Sequence, residues 1–175
     1  MKKEKGYFPD LAPEKVAYVC GPLTELPIGQ REEIKLLYSR IGDLCKKVLG
    51  ERAFVPHEHF DPVQHPNATP RKLDAAIRKQ VSGKASVLIV LTFAPSWGGG
   101  IEVEIANANK VPVIITRQYT KHNGVSLGRP VSRLLLGNPA VRAVVPFENY
   151  EDLLERLKAV IPNVVPRKAG RLQKR

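Results

Sequence analysis

The chain reads VLIVLTFAPSWGGGIEVEIA at residues 87–106. Its first part, residues 87–91, is continuously apolar and rich in β-branched side chains, which is typical of a strand covered on both faces of a parallel sheet. A glycine-rich turn follows and leads into a helix-like segment. Glycines allow close backbone approach, and the free N–H groups at a helix start attract anions. We therefore expect ligand chemistry at this turn, with Glu102 as the first candidate for a functional residue.

The flanking segments alternate between strand and helix patterns. Short apolar runs predict further strands at residues 16–20, 53–55, 111–116 and 141–145. Apolar residues at three- and four-residue spacing predict helices near residues 34–48, 70–81, 131–136 and 150–160. This order predicts an α/β fold, a three-layer sandwich with a five-stranded parallel sheet, flavodoxin-like or Rossmann-like, with right-handed crossovers.

Composition indicates one globular domain. The chain has 175 residues, of which 43% are hydrophobic and 26% are charged, and this is ordinary for a soluble protein with a sizeable core. We expect the domain to span residues 15–162, between a basic N-terminal extension at 1–14 and a basic, disordered tail at 163–175. No apolar stretch approaches the ~20 residues needed to cross a bilayer, so we expect a cytoplasmic protein. Cys20 and Cys45 are expected to be buried, reduced thiols.

The positive charge is concentrated at the two ends. The net charge is +11, and residues 1–5 together with the tail after Pro166 supply +7 of it. Such tails can contact polyanions without sequence preference. A nonspecific polyanion contact through the basic termini therefore stays open, as an addition to a site in the domain.

The loops after the first three predicted strands face one crevice, because ligands of open α/β sheets bind outside the carboxyl ends of the strands. Amide groups, hydroxyls, imidazoles and a carboxylate would line it, which suits a small phosphorylated or sugar-bearing ligand. The glycine run has no Walker A or dinucleotide-binding spacing. Four residues invite a metal interpretation but do not complete a tetrahedral set, so we expect no metal and no cofactor: His57, His59, Asp61 and His65.

Two stretches carry a family resemblance. Tyr18-Val19-Cys20-Gly21-Pro22-Leu23 resembles the opening strand of the nucleoside 2-deoxyribosyltransferase superfamily, and Ser96-x-Gly98-x-Gly100-x-Glu102-Val103-x-x-Ala106 is similar to its catalytic signature. The nearest branch is that of the 2'-deoxynucleoside 5'-phosphate N-hydrolases, which Glu58-His59 and Gly128-Arg129-x-x-Ser132 also resemble. The resemblance spreads over roughly residues 16–160.

The resemblance implies an enzyme that processes the N-glycosidic bond of a nucleoside or nucleotide, as a hydrolase or a deoxyribosyltransferase. Glu102 falls on the nucleophilic glutamate, and Tyr18 falls on an aromatic residue that lines the nucleotide site. Ser132 falls on a serine that reaches the phosphate from a neighbouring subunit, which implies a homodimer with shared sites. Ser96 with the amides of Gly98 and Gly100 falls on the family's 5'-phosphate cradle. The remaining binding candidates are Gly21, Thr24, His59 and Arg129.

The chain also departs from the family pattern. Counted without gaps, the family's helix aspartate falls on Arg78 and a second acidic position falls on Ser86. Asp74, one helical turn before Arg78, is the candidate substitute. Thr24 stands where the hydrolase branch has a phosphate-contacting arginine, a charge that Arg78 or Arg129 could supply. A catalytically altered nucleotide-binding or sensing module of the same fold is therefore the alternative function.

Simpler interpretations remain for several of these residues. Glu102 and Glu104 could be acids favoured by the start of a helix. Ser96 could be an N-cap as well as a phosphate ligand. Trp97 could stack on a base, pack internally or contact a second subunit.

Overall fold

The central sheet forms from the apolar segments that the sequence marks as strands. The computed structural model describes residues 15–61, 68–122, 125–128 and 130–165. Its strands are β1 (Val16–Cys20), β2 (Ala85–Leu91), β3 (Val113–His122), β4 (Val125–Gly128) and β5 (Val141–Phe147). Its helices are α1 (Ile28–Leu49), α2 (His57–Phe60), α3 (Pro70–Lys84), α4 (Trp97–Ala108), α5 (Arg133–Leu136) and α6 (Tyr150–Val164).

The strands β1, β2, β3 and β5 lie side by side in that order, and all are parallel. The strand β4 pairs antiparallel with the distal half of β3. The three-layer α/β class is confirmed by this arrangement, because helices cover both faces of the parallel strands.

The prediction of five parallel strands is wrong at residues 53–55. Only Phe54 bridges β1, through hydrogen bonds that join its amide to the Ala17 carbonyl and its carbonyl to the Val19 amide. Pro56 follows with αR backbone angles and has no N–H to extend the ladder. The segment therefore turns into α2 after a single bridge, and four strands of the sheet are parallel.

Each strand sends alternate side chains to opposite layers, as the strand period of two requires. On one face Ala17, Val19, Ile89 and Phe147 pack with buried side chains of α1 and α6. On the other face a second cluster joins the sheet to α3 and α4, and its members include Tyr18, Cys20, Leu88, Val90, Val81, Val103 and Ala106. Tyr18 and Cys20 therefore lie on the same side of the sheet as α4.

The helix ends follow local sequence signals. The Thr69 side chain accepts a hydrogen bond from the Lys72 amide, and Pro70 occupies the first turn of α3. Asn149 caps α6 by accepting from the Asp152 amide, while the Asp152 carboxylate accepts from the Glu148 amide. These contacts confirm the predicted starts of both helices. Among the described residues, no helix combines the length and apolarity needed to cross a membrane.

Candidate active site

The strand order predicts a ligand-binding crevice beside the carboxyl ends of β1 and β2. From β1 the chain runs outward to the Phe54 bridge, and later returns to the opposite side of β1 to form β2. Such a reversal of direction separates the loops that follow neighbouring strands and leaves room for a ligand. Here these loops are residues 21–27, after β1, and residues 92–96, after β2.

Ser96 fixes the start of α4. It has extended backbone angles, and its Oγ accepts a hydrogen bond from the Gly99 amide at 3.2 Å. The predicted N-cap is therefore confirmed. A methyl group at Gly100 would meet no atom within 4 Å, and one at Gly98 only the Ser96 hydroxyl at 3.8 Å. Internal packing therefore does not require glycine at either position. The Gly100 amide itself donates to the Ser96 carbonyl at 3.2 Å.

Glu102 lies in the second turn of α4 and points into the sheet layer. Its residue surface is only 8% exposed, and its Oε1 accepts a hydrogen bond of 2.7 Å from the Tyr18 hydroxyl. The Cys20 thiol, two residues further along β1, also lies within hydrogen-bonding reach of the carboxylate. The strand β1 therefore presents two donors to one buried acid.

Burial dominates the electrostatics of this group. It raises the pKa of Glu102, while the hydrogen bonds from Cys20 and Tyr18 lower that pKa. Burial and the adjacent Glu102 charge raise the pKa of both Tyr18 and Cys20 well above their ordinary values. Tyr18 and Cys20 are therefore protonated donors at neutral pH, and Glu102 is the member of the trio that titrates.

Aromatic stacking extends from Tyr18 toward the edge of the sheet. The ring of Phe54 stacks on Tyr18 with centroids 5.6 Å apart, and His59 stacks on the other side of Phe54 at 4.4 Å. The predicted site residue His59 is thus joined to Tyr18 through Phe54.

An ion pair anchors the segment that carries His59. Arg52 donates to both carboxylate oxygens of Glu58 at 2.5 and 2.7 Å, and the Ser39 hydroxyl donates to Glu58 at 2.6 Å. Although burial raises the pKa of Glu58, these hydrogen bonds lower it below its usual range. Glu58 therefore fixes this segment, and the next residue, His59, contributes its ring to the aromatic stack.

The structure places Asp74 and Arg78 outside this trio. The Arg78 Nε lies 2.9 Å from the Asp74 carboxylate, and both side chains are about half exposed on α3. Their pairing has the i, i+4 spacing of an ordinary helix-surface ion pair. The partners of Glu102 come from β1 instead.

The other sequence candidates have varied positions. Gly21 lies against the Tyr38 hydroxyl, which donates to the Pro22 carbonyl at 2.8 Å. Thr24 is exposed in the loop after β1, and Ser132 is exposed at the start of α5. Trp97 is 92% exposed at the start of α4. Arg129, His65 and the two basic termini lie outside the described residues.

Two residues of the site were not predicted from the sequence. The prediction that Cys20 is a buried, free thiol is confirmed, but it gave the thiol no part in the site, although the even spacing from Tyr18 along β1 signals a shared face. Glu25 belongs to none of the sequence motifs, yet its carboxylate lies within hydrogen-bonding reach of the Ser96 hydroxyl. Its position directly after Thr24, in the loop that faces the glycine-rich turn, was the available signal. Within the described part of the chain, no group of three or more potential ligands is arranged to hold a metal ion.

No protein-family model and no curated protein matches the chain. Among solved structures, it is similar to a CMP N-glycosidase of Clostridium botulinum, with 14% identity and a TM-score of 0.50 over 82% of this chain and 98% of the other. It is also similar to a conserved protein from Enterococcus faecalis, with 19% identity and a TM-score of 0.50 over 84% of this chain and 99% of the other. These similarities establish a shared fold over more than four fifths of this chain and nearly the whole length of the two other proteins.

Proposed function

We propose that the protein processes the N-glycosidic bond of a nucleoside or nucleotide, with Glu102 as nucleophile. The observation that carries this proposal is the buried Glu102 carboxylate, fixed by Tyr18 at 2.7 Å beside the crevice. The similarity in fold to a CMP N-glycosidase supports the same class of reaction. A buried carboxylate with a raised pKa at such a place is a recognised sign of function.

In the proposed reaction, a Glu102 oxygen attacks the anomeric carbon of the sugar. The bond between this carbon and the base nitrogen breaks, and the base leaves with the electron pair and takes up a proton from water. The resulting glycosyl ester is then attacked at the same carbon by water or by a second base, which releases the Glu102 carboxylate. Two displacements at one carbon retain its configuration, as in retaining glycosidases.

Tyr18 and Cys20 have a clear task in this reaction. Glu102 must be ionised to attack, although burial favours its neutral form. Donors aimed at the carboxylate favour the ionised form. Their hydrogen bonds also fix the orientation of the carboxylate, so that it meets the sugar in a reactive geometry.

The rest of the crevice supplies the binding groups. We propose that Ser96, Gly98 and Gly100 contact the 5' end of the sugar, with Gly21 and Thr24 on the opposite loop and His59 at the edge of the aromatic stack. Arg129 and Ser132 are proposed to complete the site, Ser132 from the second subunit of a homodimer. The exposed Trp97 and Ile101, one turn apart on α4, give a second subunit an apolar surface to cover.

One observation favours a second candidate, a binding or sensing module without turnover. Asp74 pairs with Arg78 on the surface of α3, and the acidic partner expected for Glu102 is therefore engaged elsewhere. Calorimetry would select this function if nucleosides or nucleotides bind and no base is released.

Base release tests the leading proposal. Ribonucleosides, deoxyribonucleosides and their 5'-monophosphates are incubated with the protein, and free base is measured by chromatography. Glu102→Gln should lower the rate at least about a thousandfold, because the nucleophile is lost. Glu104→Gln is the matched control, since Glu104 is an exposed acid on the same helix that bonds to Asn107 and Asn138. Equal loss in both variants, or release that survives in Glu102→Gln, would refute the proposal.

A further inference from the structure

A carboxylate lies where the 5' end of the sugar is proposed to bind. Glu25 Oε2 accepts a hydrogen bond of 3.1 Å from the Thr24 hydroxyl, and the Ser96 hydroxyl lies within hydrogen-bonding reach of the same carboxylate. Ser96 also caps α4 through the Gly99 amide. Glu25 therefore already provides the negative charge that the start of α4 favours.

The loop that carries Glu25 is tied down on both sides. Arg31 donates from Nε to the Leu26 carbonyl at 3.0 Å and from Nη2 to the Thr24 carbonyl at 2.9 Å. Leu26 itself is buried, and its amide donates to the Leu23 carbonyl at 3.3 Å. The two hydrogen bonds from Arg31 and the buried Leu26 side chain therefore fix the backbone on both sides of Glu25.

Partial burial raises the pKa of Glu25, but hydrogen bonds from its own amide, Ser96 and Thr24 bring that pKa below its usual range. The group is consequently ionised near neutral pH, where a phosphate monoester also carries negative charge. A 5'-phosphate would have to enter beside a fixed anion of the same sign. A 5'-hydroxyl could instead donate a hydrogen bond to that anion.

We infer that the site selects nucleosides with a free 5'-hydroxyl over nucleoside 5'-monophosphates, and that Glu25 determines this selectivity. The inference rests on the proposed function and narrows its substrate class. Glu25 acts as a hydrogen-bond acceptor for the sugar hydroxyl and as an electrostatic barrier to phosphate. When the substrate lacks the hydroxyl, the protein group that accepts its hydrogen bond is left without a partner. The cost of that lost hydrogen bond is what makes such a site select the hydroxyl-bearing substrate.

The test compares one nucleoside with its own 5'-monophosphate in the wild-type protein and in Glu25→Gln. The wild type should favour the nucleoside at least about tenfold in kcat/KM, and Glu25→Gln should remove most of that preference because its amide carries no charge. Glu25→Arg should favour the monophosphate. Glu33→Gln, an exposed acid on α1, should leave the ratio unchanged.

The inference is overturned if the wild type prefers the monophosphate, or if Glu25→Gln keeps the wild-type ratio. Loss of monophosphate use in Arg31→Ala would then identify Arg31 as the phosphate ligand.

The same comparison is made by calorimetry on Glu102→Gln, which cannot form the glycosyl ester. If no base is released but Glu25 still sets the ratio of the two dissociation constants, the proposed reaction fails and the selectivity stands. If base is released but neither ratio depends on Glu25, the selectivity fails and the reaction stands.

Discussion

The Tyr18 hydroxyl donates a hydrogen bond of 2.7 Å to Glu102 Oε1, although the two residues are 84 positions apart in the chain. The contact joins the middle of β1 to the second turn of α4. It fixes the orientation of one buried carboxylate in the helix that follows the glycine-rich turn.

Removal of the Tyr18 hydroxyl should impair the reaction in a pH-dependent way. Burial raises the pKa of Glu102 and the Tyr18 hydrogen bond lowers it, so Tyr18→Phe should raise that pKa further. We expect kcat/KM to fall about tenfold near neutral pH, the equivalent of one hydrogen bond to a charged group. The acidic limb of the pH profile should move to higher pH. If kcat/KM falls by the same factor at every pH and the acidic limb of the profile does not move, Tyr18 acts only through packing.

Cys20 should support Glu102 as a second donor. Cys20→Ala removes the thiol, and we expect kcat/KM to fall about threefold and the acidic limb to rise, because a thiol is a weak donor. Cys20→Ser keeps a donor and should restore most of the activity. Cys45→Ala is the control, since Cys45 is an equally buried thiol on α1. It should alter stability but not the position of the limb.

Glu102 should make the folded protein less stable as pH rises. Because burial raises its pKa in the folded state, the native protein holds this proton more tightly than the unfolded chain, and stability falls as pH increases through the folded-state pKa. Glu102→Gln should therefore stabilise the protein at pH 7 to 8, and by less near pH 4. Urea denaturation at the two pH values measures this. Equal effects at both would contradict a raised pKa.

Gly21 is required by packing. A Cβ there would lie 2.3 Å from Tyr38 Oη and 3.2 Å from Leu91 Cβ, and the Tyr38 hydroxyl is held by the Pro22 carbonyl at 2.8 Å. Gly21→Ala should cost about 2 kcal/mol in the free energy of unfolding. Tyr38→Phe in the same chain should recover part of that loss, because it removes the nearest atom. If the double variant is no more stable than Gly21→Ala alone, the clash lies elsewhere.

The sequence predicted the elements that carry strong apolar patterns. The strand β2 and the starts of α3 and α6 agree with those patterns because burial on two faces or a capping side chain leaves a local signature. The strand β3 continues past the predicted end at Thr116 to His122. Arg117 and Gln118 still pair with β5, and residues 119–122 pair with the antiparallel strand β4, so this part lacks the continuous apolar pattern of a central parallel strand. The prediction of a strand at residues 53–55 is wrong for a different reason. The apolar run is followed at once by Pro56, which has no N–H to continue the ladder.

The candidate site was predicted in part. Glu102, Tyr18 and Ser96 stand out by motif; the structure joins Tyr18 to Glu102 by a hydrogen bond and places Ser96 at the start of the same helix as Glu102. The contact of Cys20 depends on which face of β1 packs against α4, and the contact of Glu25 depends on which loop lies beside the start of α4. Both are set by the packing of segments that are far apart in the sequence. Asp74 is a further example. The sequence shows that it lies four residues before Arg78, but only the structure shows that both side chains are half exposed on the surface of α3.

The stereochemistry of the released sugar tests the central claim most directly. A β-nucleoside is cleaved in an NMR tube with enough enzyme to outpace mutarotation, and the first anomer formed is recorded. An ester at Glu102 requires two displacements, so the β-anomer should appear first. If the α-anomer appears first, water attacks the nucleoside directly and Glu102 is not the nucleophile.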